Sequence, residues 1–270
     1  MLFRLTLSST LLAGLLYFNS SVADANPDLV LSQNADASPV GRIELLGDTR
    51  VRLLNDANDG RRVVVADLTG GWSRQLPSDR EQTVEALVLE GEITWQGTTL
   101  GPYDYAHLPA RAPAPVLTAG PDGARLLLFL DPPRDSDGAA LTLVDSDRLP
   151  WQPATVAVRD MGRELALELK DLRYVEETGQ RSWLLRVFTD FEIPWEVHTS
   201  AEEGFLLEGE FRNGECLPAG PVDGLYRPGG YFYRPAGIAH GGPESGTETG
   251  ALWILRTPTD LTVEFLDDCG

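Results

Sequence analysis

The sequence predicts an all-β protein of two tandem barrels, and three features of the chain lead there. Short apolar runs alternate with turn signals, and 27 glycines and 19 prolines supply the turns. Helical periodicity is weak throughout. Only Asp160–Leu172 could form a turn or two of helix, and its Leu165, Leu167 and Leu169 alternate as a strand would. The second half also repeats the first, so each half holds enough short strands for one sandwich or barrel.

Taken in order, residues 1–23 have the make-up of a cleaved targeting peptide. Arg4 supplies positive charge, Leu5 to Phe18 form an apolar core short for a bilayer, and Ser21-Val22-Ala23 places small residues before the cut. Cleavage after Ala23 is expected, with Ala25 the second choice. This predicts a secreted or periplasmic protein with no membrane contact once the peptide is gone. Asn26 to Pro39 is polar and aperiodic and reads as a flexible leader. Arg50–Leu54 and Arg61–Leu68 flank Asn55-Asp56-Ala57-Asn58-Asp59-Gly60, a hairpin signature. Further strands are expected at Val84–Glu90, Glu92–Gln96, Tyr103–Leu108 and Leu126–Leu130.

The repeat rests on matched phrases. Leu87-Val88-Leu89-Glu90-Gly91-Glu92 matches Phe205-Leu206-Leu207-Glu208-Gly209-Glu210, and Tyr105 to Pro109 matches Tyr231 to Pro235. The run Leu126–Pro132 matches Ala251–Pro258. The matches keep their order at similar offsets, and a period this long suits a duplicated domain rather than a solenoid. The Asp-, Ser-, Gly- and Pro-rich stretch Asp135–Pro150 marks the boundary, giving units of 26–140 and 141–270.

A net charge of -19 argues against nucleic acid or an anionic membrane surface as a partner, since phosphates would be repelled. Acidity of this kind keeps an exported protein soluble. The two cysteines, Cys216 and Cys269, lack metal-ligand spacing, and after export they are candidates for one disulfide.

Chemistry concentrates between Trp195 and His240. Two of the three histidines, His198 and His240, lie here. Residues two apart on a strand share a face, so Glu196 and His198 look the same way. Glu202 heads the next strand, and the Pro235-Ala236-Gly237 turn could bring His240 alongside. Imidazole with carboxylate suits one divalent transition metal, with iron, manganese or zinc foremost. Metal ligation is expected for His198, Glu202 and His240. Glu196 is either a fourth ligand or a base or orienting group beside the ion. Tyr231 and Tyr233 share a face; barrel packing is the plainer role, and a catalytic hydroxyl lining the site is the sharper one. Arg234 and Glu203 are expected to point the other way, into solvent. Trp195 reads as rim packing.

These residues resemble the two motifs of the cupin superfamily. His198, Glu202 and Gly209 fit the first motif, with Glu196 where another histidine is usual. Gly229, Pro235, Gly237 and His240 fit the second, with Glu244 in place of an asparagine. The phrasing is most similar to a two-cupin family of unknown function called ChrR-like, after the cupin half of a zinc-binding anti-sigma factor. The resemblance implies two jelly-roll barrels. In the first half, Ser78, Arg80, Val84 and Ala114 fall where Glu196, His198, Glu202 and His240 stand, so that barrel should hold no metal. It would serve as a structural or dimer-forming partner, with His107 a hydrogen-bonding residue.

Two functions from different classes follow. One is an exported metalloenzyme of cupin dioxygenase type acting on a small oxygenated molecule. The other is a metal-dependent protein that binds a small ligand or senses it. A third reading makes the metal structural.

Overall fold

The fold was analysed in a computed structural model that describes residues 29–32, 34–113, 115–138, 140–153 and 167–269. The targeting peptide, Ala114 and the amino-terminal part of Asp160–Leu172 lie outside the described residues. Among those described, every regular element is a strand or a short 3-10 turn, and all strand pairing is antiparallel. The expected hairpin forms from Arg50–Asp56 and Arg62–Leu68, with Gly60 at φ 90° in its turn. Leu167–Val175 is a strand, so alternation prevailed over the helical option in the described part of that stretch.

The duplication holds at the level of strand register. Thr83–Trp95 pairs with Tyr105–Leu108 so that Val84 faces Leu108 and Leu87 faces Tyr105. Glu202–Gly209 pairs with Tyr231–Arg234 so that Glu202 faces Arg234 and Phe205 faces Tyr231. Bulges fall at matched places, between Val88 and Glu90 in one half and Leu206 and Glu208 in the other. Beyond each bulge sits a glycine with positive φ, Gly91 at 71° and Gly209 at 79°. A Cβ at Gly209 would lie 2.0 Å from the Gly250 carbonyl oxygen, so any side chain would push the strands apart. That bulge lets Thr83–Trp95 run as one bent strand where the sequence suggested two.

The leading segments are exchanged between the halves. Val30–Ser32 adds to the edge of Tyr231–Arg234 in the second half, and Thr142–Val144 adds to Tyr105–Leu108 in the first. These are equivalent edges of the two repeats. The stretch Asn26 to Pro39 is therefore not a free leader where it is described: Leu29 buries with Leu217 and Ile238, which is what its apolar residues gain from the docking. The sheet boundary likewise falls beyond residue 140, since Thr142–Val144 belongs with the first half.

Three apolar layers result. The first barrel is filled by its own core, which includes Val84, Ile93, Trp95 and Leu108. A second layer joins the halves, packing Val63, Leu87 and Phe129 against Phe205, Tyr231 and Ile254. A third lines the second barrel, where Trp253 meets Phe211, Tyr226 and Phe232 edge-on. That third layer does not fill its barrel, and a cavity of about 670 Å³ remains.

Candidate metal centre

The cavity of the second barrel is closed on one side by a sheet that contains Trp195–His198, His240–Thr247 and Val263–Leu266. Glu196 and His240 are direct partners across this sheet, and His198 lies two residues from Glu196 on the same face. Strand alternation and one antiparallel register therefore bring all three inward. Gly242 lets the strands come together here, because a Cβ on it would stand 2.6 Å from the Trp195 indole. Trp195 covers Gly214 and Gly242, in keeping with the packing role expected of it.

Glu196, His198 and His240 are buried, and their ligand atoms lie within 4.8 Å of one another. Glu196 Oε1 is 3.2 Å from His240 Nε2 and 3.5 Å from His198 Nε2. Donor atoms on one ion at 2.0–2.2 Å are spaced about 3 Å apart, so the triangle is of a size that a first-row ion can hold. His240 Nδ1 lies 3.2 Å from the Ile238 carbonyl, a contact that places the proton on Nδ1 and leaves Nε2 as a lone-pair donor. His198 Nδ1 is buried without a hydrogen-bond partner, 3.6 Å from Glu202 Oε2. Burial would raise the Glu196 carboxyl, but hydrogen bonding and charge from the two histidines hold it down at about 2. Burial opposes a charge on His198, yet Glu202 and Glu196 raise its affinity for a proton overall. A divalent cation would answer the same demand for positive charge.

Glu202, expected among the ligands, is turned toward Arg234, whose Nη1 donates to Glu202 Oε2 at 3.0 Å. It stands behind His198 rather than within the triangle of Glu196, His198 and His240. Arg234 departs most from the sequence reading. It does point away from Tyr231 and Tyr233, but that direction is the barrel interior, and the residue is 2% exposed. Its Nε and Nη2 donate to the two oxygens of Glu215 at 2.8 and 2.6 Å. Burial alone would lower its affinity for a proton, and the charge of Glu215 more than reverses this. Glu203 is also partly buried, between Arg256 and the Tyr231 hydroxyl. The misplacement has one cause: both faces of the Glu202–Gly209 sheet are covered, one by the cavity and one by the first barrel, so alternation there does not divide core from solvent.

Tyr231 and Tyr233 consequently face the junction between the barrels and not the metal cluster. The Tyr231 hydroxyl accepts from Asn55 at 3.2 Å and donates to Glu203 at 2.9 Å, while the Arg61 guanidinium lies 4.1 Å above the Tyr233 ring. The tyrosine that lines the cavity is Tyr226, which sequence reasoning passed over along with Glu215. Each sits on a strand with no motif of its own, and only the pairing of Phe211–Leu217 with Gly220–Tyr226 and with His240 shows their place.

The first barrel lacks an equivalent cluster among its described residues. Val84 and Leu108 occupy the register positions of Glu202 and Arg234 and belong to a closed apolar core. Arg80, matched to His198, donates to the carbonyls of Pro77, Pro109 and Ala112. His107 is buried 3.8 Å from Asp137, with no hydrogen bond to its Nε2. Cys216 and Cys269 form a disulfide with Cα atoms 5.5 Å apart.

Comparison with known proteins agrees with this fold. Residues 139–259 match the family model described as ChrR cupin-like domain. A Nostoc punctiforme structure provisionally described as a dioxygenase superposes with TM-score 0.69 at 20% identity, covering 89% of this chain and 87% of that one. Lactobacillus farciminis oxalate decarboxylase, in a formate complex, gives 0.61 at 11% identity over 87% and 88% of the two chains. The E. coli protein Ylba gives 0.59 at 14% identity over 88% and 93%. No curated protein sequence matches.

Proposed function

We propose that this chain, whose residues 139–259 match the ChrR cupin-like domain, is a cupin that binds one divalent transition-metal ion through Glu196, His198 and His240 and uses that site on a small oxygenated molecule. The observation that carries this reading is the convergence of the three ligand atoms at a cavity of about 670 Å³, where the equivalent barrel carries an apolar core. Two imidazoles and one carboxylate form the donor set of non-haem iron sites with open positions, and manganese or zinc suits the same donors. Such an ion would polarise an oxygen of the bound molecule and, if iron or manganese, would add redox chemistry.

The chain's own residues supply the setting. Glu202 stands 3.6 Å behind His198 Nδ1 and is itself fixed by Arg234, so its charge favours the imidazole in this orientation. The cavity wall is largely apolar, with Leu169, Leu185 and Ile193 beside its aromatic rings. The likeness to an enzyme fold favours a metal-dependent oxidoreductase, and the ChrR-like match favours a second reading, a metal-dependent binder or sensor. Export is part of the proposal, supported by the targeting pattern in residues 1–23 and by the single disulfide.

Elemental analysis of protein purified without chelators should find about one metal ion per chain, as a single three-ligand site requires. His198→Ala and His240→Ala should each lower this below about a tenth, since one imidazole lost from three donors removes the site. Full occupancy in either variant would rule out the assignment. Oxygen uptake by the loaded protein with diketones, phenols and sugar acids separates the readings: turnover supports the enzyme, and binding without turnover supports the sensor.

A further inference from the structure

We propose that the second barrel's cavity takes an uncharged, ring-bearing molecule about the size of a phenyl ketone and discriminates against carboxylates. This rests on the metal reading above and names the substrate class of that same site.

The first ground is the wall. Trp183, Phe191, Phe211, Tyr226, Phe232 and Trp253 all line the cavity. Trp253 is the hub of this wall, with ring centroids 5.6 Å from Tyr226, 5.6 Å from Phe232 and 5.8 Å from Phe211, all tilted edge to face. Surfaces of this kind favour a further ring by stacking and by burial of apolar area. The volume, about 670 Å³, belongs to a site for a drug-sized molecule, and a two-carbon diacid would occupy a small part of it.

The second ground is charge. Two buried carboxylates, Glu202 and Glu215, hold the buried guanidinium of Arg234, and a third, Glu196, faces His198 and His240. With neutral histidines their sum is minus two, and one divalent ion brings it to zero. An incoming carboxylate would then add a negative charge to a buried neutral site. It would also find no cation waiting. Arg234 uses its three nitrogens on Glu215 and Glu202, and Arg181, the other arginine lining the cavity, is paired with Asp171. Among the described residues, no cationic side chain of the cavity lacks a carboxylate partner.

The third ground is the polar handle. Tyr226 is buried, and among the described residues no hydrogen bond engages its hydroxyl. Burial and the charge of Glu215 both push its ionisation upward, so it remains a hydroxyl donor at neutral pH. It suits a carbonyl or ether oxygen. Asn213 also lines the cavity and gives its amide to Glu215.

The test is calorimetric titration of the full chain, loaded with manganese(II), with acetophenone, benzoate and oxalate. Acetophenone and benzoate share shape and differ in charge. Acetophenone should bind at least tenfold more tightly than either acid and should quench tryptophan emission, since Trp183 and Trp253 line the cavity. Glu202→Gln removes one negative charge beside Arg234, and benzoate should gain at least threefold on acetophenone. Val263→Trp narrows the cavity from its carboxyl-terminal strand and should weaken acetophenone at least tenfold, read on the metal-loaded fraction of the sample. If that variant does not fold, Leu261→Trp makes the same test from the neighbouring loop. Benzoate or oxalate binding as tightly as acetophenone, or no acetophenone binding up to its solubility limit, overturns the proposal. Metal content measured on the same samples separates the two ideas. Absence of bound manganese overturns the metal reading, and bound manganese with benzoate preferred overturns only this one.

Discussion

Glu196 and Glu202 flank one histidine, yet their surroundings set them different tasks. Glu196 contacts two imidazole nitrogens and no arginine, whereas Glu202 is bonded to Arg234. Glu196→Gln should therefore abolish metal uptake. Glu202→Gln should weaken it about 10- to 100-fold, the usual effect of a partner behind a ligand, as read by competition with a chromophoric chelator. Three further carboxylates, Glu85, Asp131 and Glu203, share Arg256 at the junction of the barrels. Burial opposes ionisation of Glu85, but Arg256 and its hydrogen bonds hold it down at about 2, below its ordinary 4.5. Burial lifts Glu203 to about 6, despite the same arginine. The signs follow by linkage. Glu85 stabilises the native state above pH 4.5, and this is lost as pH falls from 4.5 toward 2. Glu203 favours the native state when protonated, so its contribution falls as pH rises from 4.5 to 6. Glu85→Gln should lower stability at pH 7 by about 3 kcal/mol and have little effect near pH 2, because a shift of this size is worth about 1.4 kcal/mol per unit. Glu203→Gln should be at least as stable as the parent at pH 7.5. Urea unfolding across pH reads both.

At the scale of elements, the carboxyl-terminal strand Val263–Leu266 stands out. Among the described residues it pairs only with Trp195–His198, placing Val263 opposite His198 and Phe265 opposite Glu196, and it lines the cavity. The Cys216–Cys269 bridge fastens it to the strand that carries Glu215. Reduction opens a loop of 53 residues, and the chain-entropy account gives a loss of about 4 kcal/mol. Reduced protein should unfold at lower urea. Its amides in Trp195–His198 should exchange faster than those of Thr83–Trp95, because the strap over the ligand strand is no longer tethered. Equal exchange in both strands would show that the bridge does not guard the site.

At the scale of the molecule, the exchanged leading strands and the shared apolar layer make the halves interdependent. Residues 141–270 alone would lack Val30–Ser32 and would expose Phe205, Tyr231 and Ile254. Arg256 would also lose Glu85 and Asp131. That fragment should associate or precipitate, and light scattering with a hydrophobic dye would show it against a monodisperse parent. A monodisperse, dye-silent fragment that binds metal would mean that the first barrel is dispensable.

The sequence by itself determined the repeat, the all-β class and the histidines of the site, because each is written in local patterns. Strand alternation, turn residues and the Pro-x-Gly turn act over a few positions, so the two histidines could be read as neighbours without coordinates, whereas Glu202 was read as their carboxylate and Glu196 was left open between ligand and base. Only the tertiary structure decided what each side of a strand meets. With cavity on one face and barrel on the other, Arg234 went inward to Glu215, Glu202 turned to that arginine, and Tyr231 and Tyr233 faced the junction. The exchange of Val30–Ser32 and Thr142–Val144 was equally invisible, since edge pairing depends on which strand lies open when the halves meet. Burial and partner choice are properties of packed surfaces, and a period of two along the chain records only that the faces differ.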